Sequence, residues 1–345
     1  VSVDVRPEDL RKPLPWQAAL WLDLTALVLQ QQLPHALLLQ GPVGIGKRWF
    51  ARALAAYLVC ENRSGYACGS CRSCVQLAVG AHPNALLLGT DGLLGLALTP
   101  NGQHAQGLIH WQPEAERKRR DISIDAARML IERLGISSHY GHQRVAIVDR
   151  ADALNTASVN ALLKTIEEPP PGTQMILISE RPQALPATLR SRCQKIRFTA
   201  PETEVAQQWL AQQLGHDDAD ALIQGYGAPL TALQLASGDG VSLRHAWREM
   251  WLAVARRRQD PVSAAASVDR EALAEHLQWA WSWIAHQFRE AVLQRSDLTQ
   301  RDAFEKMLNE ITEALRLSGG NAQPQLLLES LLVSWLRVGP RIVGN

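Results

Sequence analysis

The stretch Ala36-Leu37-Leu38-Leu39-Gln40-Gly41-Pro42-Val43-Gly44-Ile45-Gly46-Lys47-Arg48 decides the fold. Its first residues are apolar without alternation, the pattern of a strand buried on both faces of a parallel sheet. A glycine-rich turn follows and runs into a helical pattern from Trp49 to Leu58. Strand, turn and helix in that order are the setting of the phosphate-binding loop G-x-x-x-x-G-K-[ST]. Gly41, Gly44 and Gly46 let backbone N–H groups turn toward phosphate oxygens, the helix N-terminus adds a favourable dipole, and Lys47 reaches the β- and γ-phosphates. The last position departs from the pattern. Arg48 stands where a Ser or Thr hydroxyl would bind Mg²⁺, and arginine has no acceptor to offer a metal. Held ~4 Å from a unit positive charge it costs roughly 4 kcal/mol at an effective dielectric of 20. Arg48 can swing outward to escape this, but it cannot supply the missing ligand.

Outward from this loop, short apolar runs alternate with helical patterns. Candidate strands are 84–88, Val145–Asp149, Met175–Ser179 and 195–198. The clearest helix spans 156–168, with Val159, Leu162, Leu163 and Ile166 on one face and Pro169 to Pro171 stopping it. The alternation predicts an α/β domain with a mostly parallel sheet. Residues 90–120 break the rhythm and read as an insertion, a mobile hairpin. Its basic run, Arg117 to Arg120, reads as a solvated loop, with DNA contact as the sharper alternative. After Pro201 strand signals vanish. Helical patterns run to about Ala236, the turn-rich 237–240 follows, and helices dominated by 271–293 and 325–338 complete the chain. Their tryptophans read as helix–helix packing.

Val145-Ala146-Ile147-Val148-Asp149-Arg150 is a Walker-B strand with a defect. Asp149 is placed to lie near a metal or to cap the strand end. Arg150 stands where ATPases of this type carry the Glu that orients water, and a cation cannot act as that base. Arg48 and Arg150 thus strike the two parts hydrolysis needs, while Lys47 leaves binding of ATP or ADP open. Cys60, Cys68, Cys71 and Cys74 suit a closed tetrahedral Zn²⁺ site, with a redox CxxC pair as the alternative.

The chain has 345 residues, enough for two or three domains. Its 35 Lys plus Arg against 34 Asp plus Glu exclude a protein that coats nucleic acid by global charge. No apolar run reaches the ~18 residues of a membrane span. The opening residues lack an apolar signal core, so a cytoplasmic protein is expected.

Together these features resemble the δ′ subunits of the bacterial DNA polymerase III clamp loader, a branch of the AAA+ proteins. The resemblance rests on His35 to Pro42, the four cysteines, His82-Pro83, the block Asn160-Ala161-Leu162-Leu163-Lys164-Thr165-Ile166-Glu167-Glu168-Pro169-Pro170, and Ala187-Thr188-Leu189-Arg190-Ser191-Arg192-Cys193. It is strong over 14–200, fair over 201–240 and weak beyond. It implies an α/β AAA+ P-loop domain over 1–200, with a zinc module at 60–74 and the insertion at 90–120. A helical lid follows over 201–241 and an all-helical collar over 242–345. It further implies a hetero-oligomer of δ, three γ/τ and δ′ that loads the sliding clamp onto primer-template DNA, with no membrane partner. In that family the δ′ subunit is a non-hydrolysing stator with a degenerate nucleotide site, here Gly41, Gly44, Gly46, Lys47 and Asp149. By the same resemblance Arg192 is an arginine finger acting in trans on a neighbouring γ/τ subunit, Arg190 is structural and Cys193 is buried packing. The alternative, an active γ/τ-type ATPase, calls for Thr at 48, Glu at 150 and a sensor-2 Arg where Thr231 stands. A zinc-dependent DNA-binding module accounts poorly for the whole chain.

Overall fold

The computed structural model describes residues 9–98, 108–113, 121–136, 143–216, 219–236, 240–269, 272–293, 298–318 and 323–343. Among these, seven strands form one sheet: β1 (Ala36–Gln40), β2 (Ala85–Gly89), β3 (Gly92–Gly95), β4 (Ile109–Trp111), β5 (Arg144–Val148), β6 (Thr173–Ser179) and β7 (Gln194–Arg197). Their order is β4-β3-β2-β5-β6-β1-β7. The five strands from β2 to β7 in that order run parallel, while β3 is antiparallel to β2 and β4 to β3. Leu37, Leu38, Leu39 and Val145 to Val148 are almost wholly buried, as unalternating parallel strands require.

The two antiparallel strands lie in the stretch that the sequence marks as an insertion. Leu93, Leu94, Leu96, Ala97 and Leu98 are buried there, so the described part of 90–120 is sheet and core, with β3 and β4 paired antiparallel. Its glycines serve close backbone approach. A Cβ on Gly92 would lie 2.2 Å from the Trp111 carbonyl oxygen, and one on Gly95 2.1 Å from that of Gly80. The basic run Arg117 to Arg120 falls outside the described residues.

Helices cover the sheet: α1 (Ala18–Leu29), α2 (Lys47–Val59), α3 (Arg72–Ala78), α4 (Ile124–Gly135), α5 (Thr156–Glu167) and the short α6 (Ala187–Arg190). The Asn155 side chain caps α5 by accepting the Ser158 N–H at 2.9 Å. Val159, Leu162 and Ile166 carry its buried face into a core shared with α4, β2, β5, β6 and Cys193.

Packing divides the chain into a unit of residues 3–209 and one holding residues 210–345, with α7 (Thr203–Leu214) running across the division. The second unit contains α8 (Ala219–Gln224), α9 (Pro229–Ala236), α10 (Gly240–Ala255), α11 (Pro261–Ala266), α12 (Leu273–Leu293), α13 (Leu298–Ser318) and α14 (Pro324–Val343). Its core is built on Trp247, Trp251, Trp279, Trp283 and Trp335. The Trp335 indole donates to the Trp251 carbonyl at 2.7 Å, and the Trp251 indole donates to His276 Nε2 at 2.8 Å. His276 is fully buried, and burial pushes its pKa down to about 3. No described helix is long and apolar enough to cross a membrane.

Candidate functional site

Gly41, Gly44 and Gly46 all adopt positive φ, so the loop after β1 has the left-turning backbone that glycine permits. Two of them also have no room for a side chain. A Cβ on Gly41 would meet the Phe198 carbonyl oxygen at 2.3 Å, and one on Gly46 would meet Leu14 at 2.5 Å and Gln17 at 2.6 Å. Gln17, buried beneath the loop, donates to the carbonyls of Ile45 and Gly46, both at 3.1 Å. The Trp16 indole donates to the Ile45 carbonyl as well and packs edge-on against Trp209. The segment before α1 therefore braces the loop from behind. Sequence reading missed Gln17, because nothing local to it points to a contact 28 residues away.

Lys47 opens α2 and is 5% exposed. Its ammonium donates to the Gly41 carbonyl at 2.7 Å and to the Pro42 carbonyl, both within the loop. Burial pushes its pKa down to about 8, with Glu180 the strongest of the carboxylates opposing the shift.

Arg48 does not swing outward. Its Nε donates to both oxygens of Asp149, at 2.7 and 2.8 Å, and its Nη1 donates to Glu180 Oε1 at 3.3 Å. The outward swing that the sequence leaves open is not taken: two carboxylates at the ends of β5 and β6 draw Arg48 in. Burial disfavours its charge, but Asp149 and Glu180 outweigh burial and raise its pKa above the ordinary guanidinium value. One turn on, Arg52 is buried and donates to the Arg48 carbonyl at 3.4 Å, while its Nε has no hydrogen-bond partner among the described residues. Burial lowers its pKa. Asp152 is nearly sealed in and accepts from Ser179 Oγ at 3.0 Å and the Glu180 N–H at 3.1 Å. Burial alone would raise its pKa, but these hydrogen bonds and Arg181 hold it below the ordinary value. Glu180 was legible in principle. An apolar strand closed by a carboxylate, MILIS then Glu180, repeats the pattern that marks Asp149. Arg150 is exposed and in a left-handed conformation with φ 54°.

The four cysteines come together between α2 and α3. Their sulfurs all lie within 4.8 Å of one another, with Cys60–Cys71 at 3.9 Å and Cys68–Cys74 at 4.0 Å. Four sulfurs held ~2.3 Å from one Zn²⁺ in a tetrahedron would be about 3.8 Å apart, so the cluster fits a single metal ion. Backbone N–H groups of Cys68, Cys71 and Cys74 donate to the sulfurs of Cys60, Cys68 and Cys71, as thiolate ligands favour. Trp21 fastens this loop to the domain: its indole donates to the Gly65 carbonyl at 2.9 Å, and its ring stacks on Tyr66 and meets Phe50 and Tyr57 edge-on.

Arg192 is not part of the nucleotide-type site. It precedes β7 on the N-terminal side of the sheet and is half-exposed. Its Nε donates to Glu167 at the end of α5, and its Nη1 donates to the Thr188 carbonyl at 2.8 Å. Cys193 beside it is buried in the core, and burial pushes its thiol pKa up to about 11. Arg190 has a buried Nε without a hydrogen-bond partner among the described residues.

A parallel sheet with a glycine-rich loop and Lys47 after β1 and an aspartate after β5 defines a P-loop fold, with Arg48 following the lysine and Arg150 following the aspartate. A family model described as "DNA polymerase III, delta subunit" matches residues 16–202. DNA polymerase III subunit delta′ of Pseudomonas aeruginosa is 35% identical over 66% of this chain and 62% of its own length. The subunits of the same name from Yersinia pestis and Escherichia coli are 32% and 31% identical, over 77% and 76% of this chain and 73% of each of theirs. The chain belongs to the DNA polymerase III δ′ family.

Proposed function

We propose that the chain is the non-hydrolysing stator of a DNA polymerase III clamp loader. It assembles with γ/τ and δ subunits, helps load the sliding clamp onto primer-template DNA in the cytoplasm, and lends Arg192 to a neighbour's ATP. The observation that carries the reading is the position of Arg192. Strands β1 and β7 are parallel, with Leu37 opposite Gln194 and Gln40 opposite Arg197. Arg192 therefore lies beyond the N-terminal end of this pair and the phosphate-binding loop beyond its C-terminal end. Four residues of strand at ~3.3 Å each separate the levels of Leu37 and Gly41, so the guanidinium is more than about 13 Å from its own loop. An arginine so placed is out of reach of its own loop, which supports a role at another chain's nucleotide. It stabilises charge on a γ-phosphoryl group supplied by a partner, the chemistry of an arginine finger.

The site in this chain supports the same reading. Gly41, Gly44, Gly46, Lys47 and Asp149 keep the frame of a nucleotide site, but Arg48 occupies the carboxylate that would hold the metal and Arg150 cannot orient water. ATP or ADP, if held at all, is held without turnover. Residues 1–200 form the P-loop domain, 201–241 the lid and 242–345 the collar that joins the subunits. Cys60, Cys68, Cys71 and Cys74 hold one structural Zn²⁺; four thiolates leave no open position for catalysis. The test is co-purification with γ/τ and δ, followed by ATPase assays with and without this chain. Turnover by the isolated chain, abolished by Lys47→Ala, would restore the γ/τ-type reading.

A further inference from the structure

The phosphate-binding loop and the strand ending in Asp149 imply a magnesium–nucleotide site, and the residues present do not fit the metal. Position 48 offers no hydroxyl. Both oxygens of Asp149 are engaged by one Arg48 nitrogen, and Glu180 takes a second nitrogen of the same side chain. We propose that the Arg48 guanidinium is a covalently tethered substitute for the divalent cation, and that it fixes this site in one arrangement whatever nucleotide is present.

The contacts place the guanidinium where a bridging ion would act. A metal at such a site links the first turn of the P-loop helix to the carboxylate at the end of the Walker-B strand. Arg48 links the same two elements, α2 and β5, and adds the end of β6 through Glu180. The pairing is not an ordinary surface bridge. Asp149 and Glu180 are about one-quarter exposed, and the guanidinium approaches two carboxylates at once.

The charge inventory points the same way. Lys47, Arg48 and Arg52 on one helix face interact with Asp149, Asp152 and Glu180. With Arg181, which pairs with Asp152 at 3.5 Å, four cations meet three carboxylates, so the carboxylates are neutralised without a metal ion. A magnesium ion would add two positive charges to a cluster in which cations already outnumber carboxylates, and would have to displace Arg48 from Asp149 first. Lys47 completes the arrangement by donating to the loop's own carbonyls. The inference rests on the non-hydrolysing reading and deepens it: the site is self-filled as well as inactive.

The experiment uses the full chain and reads binding rather than turnover. ADP and a non-hydrolysable ATP analogue are titrated calorimetrically, each in excess Mg²⁺ and in EDTA, against wild type, Arg48→Thr and Arg48→Met. Wild type should bind no more tightly with Mg²⁺ than without. Arg48→Thr, which frees Asp149 and returns a hydroxyl, should gain at least about tenfold in affinity in Mg²⁺ and lose the gain in EDTA. Arg48→Met, which frees Asp149 alone, should show a smaller gain, and it carries the test if the threonine variant does not fold. Tighter binding by wild type in Mg²⁺, or folded variants with no Mg²⁺ dependence, would overturn the proposal. ATP turnover by wild type would overturn the non-hydrolysing reading itself, whereas Mg²⁺-dependent binding without turnover would overturn this inference alone.

Discussion

Arg192 and Lys47 lie at opposite ends of neighbouring parallel strands, Arg192 before β7 and Lys47 after β1. One chain therefore carries the glycine-rich loop at the C-terminal ends of its parallel strands and the half-exposed Arg192 at their N-terminal ends. In the proposed assembly that polarity would let Arg192 face a neighbour's loop. In this chain Lys47 donates to the loop's own carbonyls while Arg192 pairs with the half-exposed Glu167, which gives the mutations below distinct consequences.

Arg192→Ala should leave the isolated chain folded, with stability changed by no more than about 1 kcal/mol, because its pairing with Glu167 is half-exposed. The variant should still assemble. Arg192→Lys should restore little of the lost function, because an ammonium lacks the planar fork. Thermal melting and co-elution with γ/τ and δ check the first part. A large drop in melting temperature would mean that Arg192 is structural.

Protein purified without chelator should hold about one zinc per chain. Cys74→Ser should lose it and destabilise the chain by several kcal/mol, since structural zinc contributes directly to folding. Trp21 reports the change, because its indole is bonded to Gly65 and stacked on Tyr66 within the cysteine loop. Elemental analysis and tryptophan fluorescence are the measurements, and zinc-free wild-type protein would contradict the assignment.

Acid should destabilise the helical unit through His276. Its pKa is held down to about 3 by burial, against an ordinary value of 6.5, so between those values the unfolded chain binds a proton that the folded chain refuses. Stability is then fully present above about pH 6.5 and falls as pH falls, by about 1.4 kcal/mol per pH unit until pH 3. His276→Gln keeps an acceptor for the Trp251 indole and cannot titrate. Denaturant unfolding at pH 7 and pH 5 should show a smaller loss for the variant; equal losses would refute the role of His276.

Short-range signals carried much of this molecule. β1 with its glycine turn, the strand ending in Asp149, the helix closed by three prolines and the four cysteines are each contained within about 15 residues of sequence, where spacing alone specifies the geometry. What stayed hidden depends on pairing across the fold. Glu180 meets Arg48 from 132 residues away, and the direction of that arginine stays open until both carboxylates are placed beside it. That Leu93 to Leu98 belong to the core stayed hidden because the glycines of this expected hairpin look like turn punctuation. In the fold they are the points where backbone passes close to Trp111 and Gly80. His276 has an unremarkable helical context, and only the fold brings Trp247 and Trp251 of α10 beside it, with Trp279 of its own helix, where it is buried from water.

The central claim is that this chain serves its neighbour's ATP and not its own. The direct measurement is DNA-dependent ATPase and clamp loading by complexes assembled with wild-type γ/τ and δ and with either Arg192→Ala or Lys47→Ala in this chain. An arginine finger contributes on the order of 10³–10⁵ in rate at the site it serves. Arg192→Ala should therefore silence one site of the assembly, lowering bulk turnover modestly and clamp loading further, while Lys47→Ala leaves both unchanged. Full activity with Arg192→Ala, or lost turnover with Lys47→Ala in an intact complex, would contradict the account.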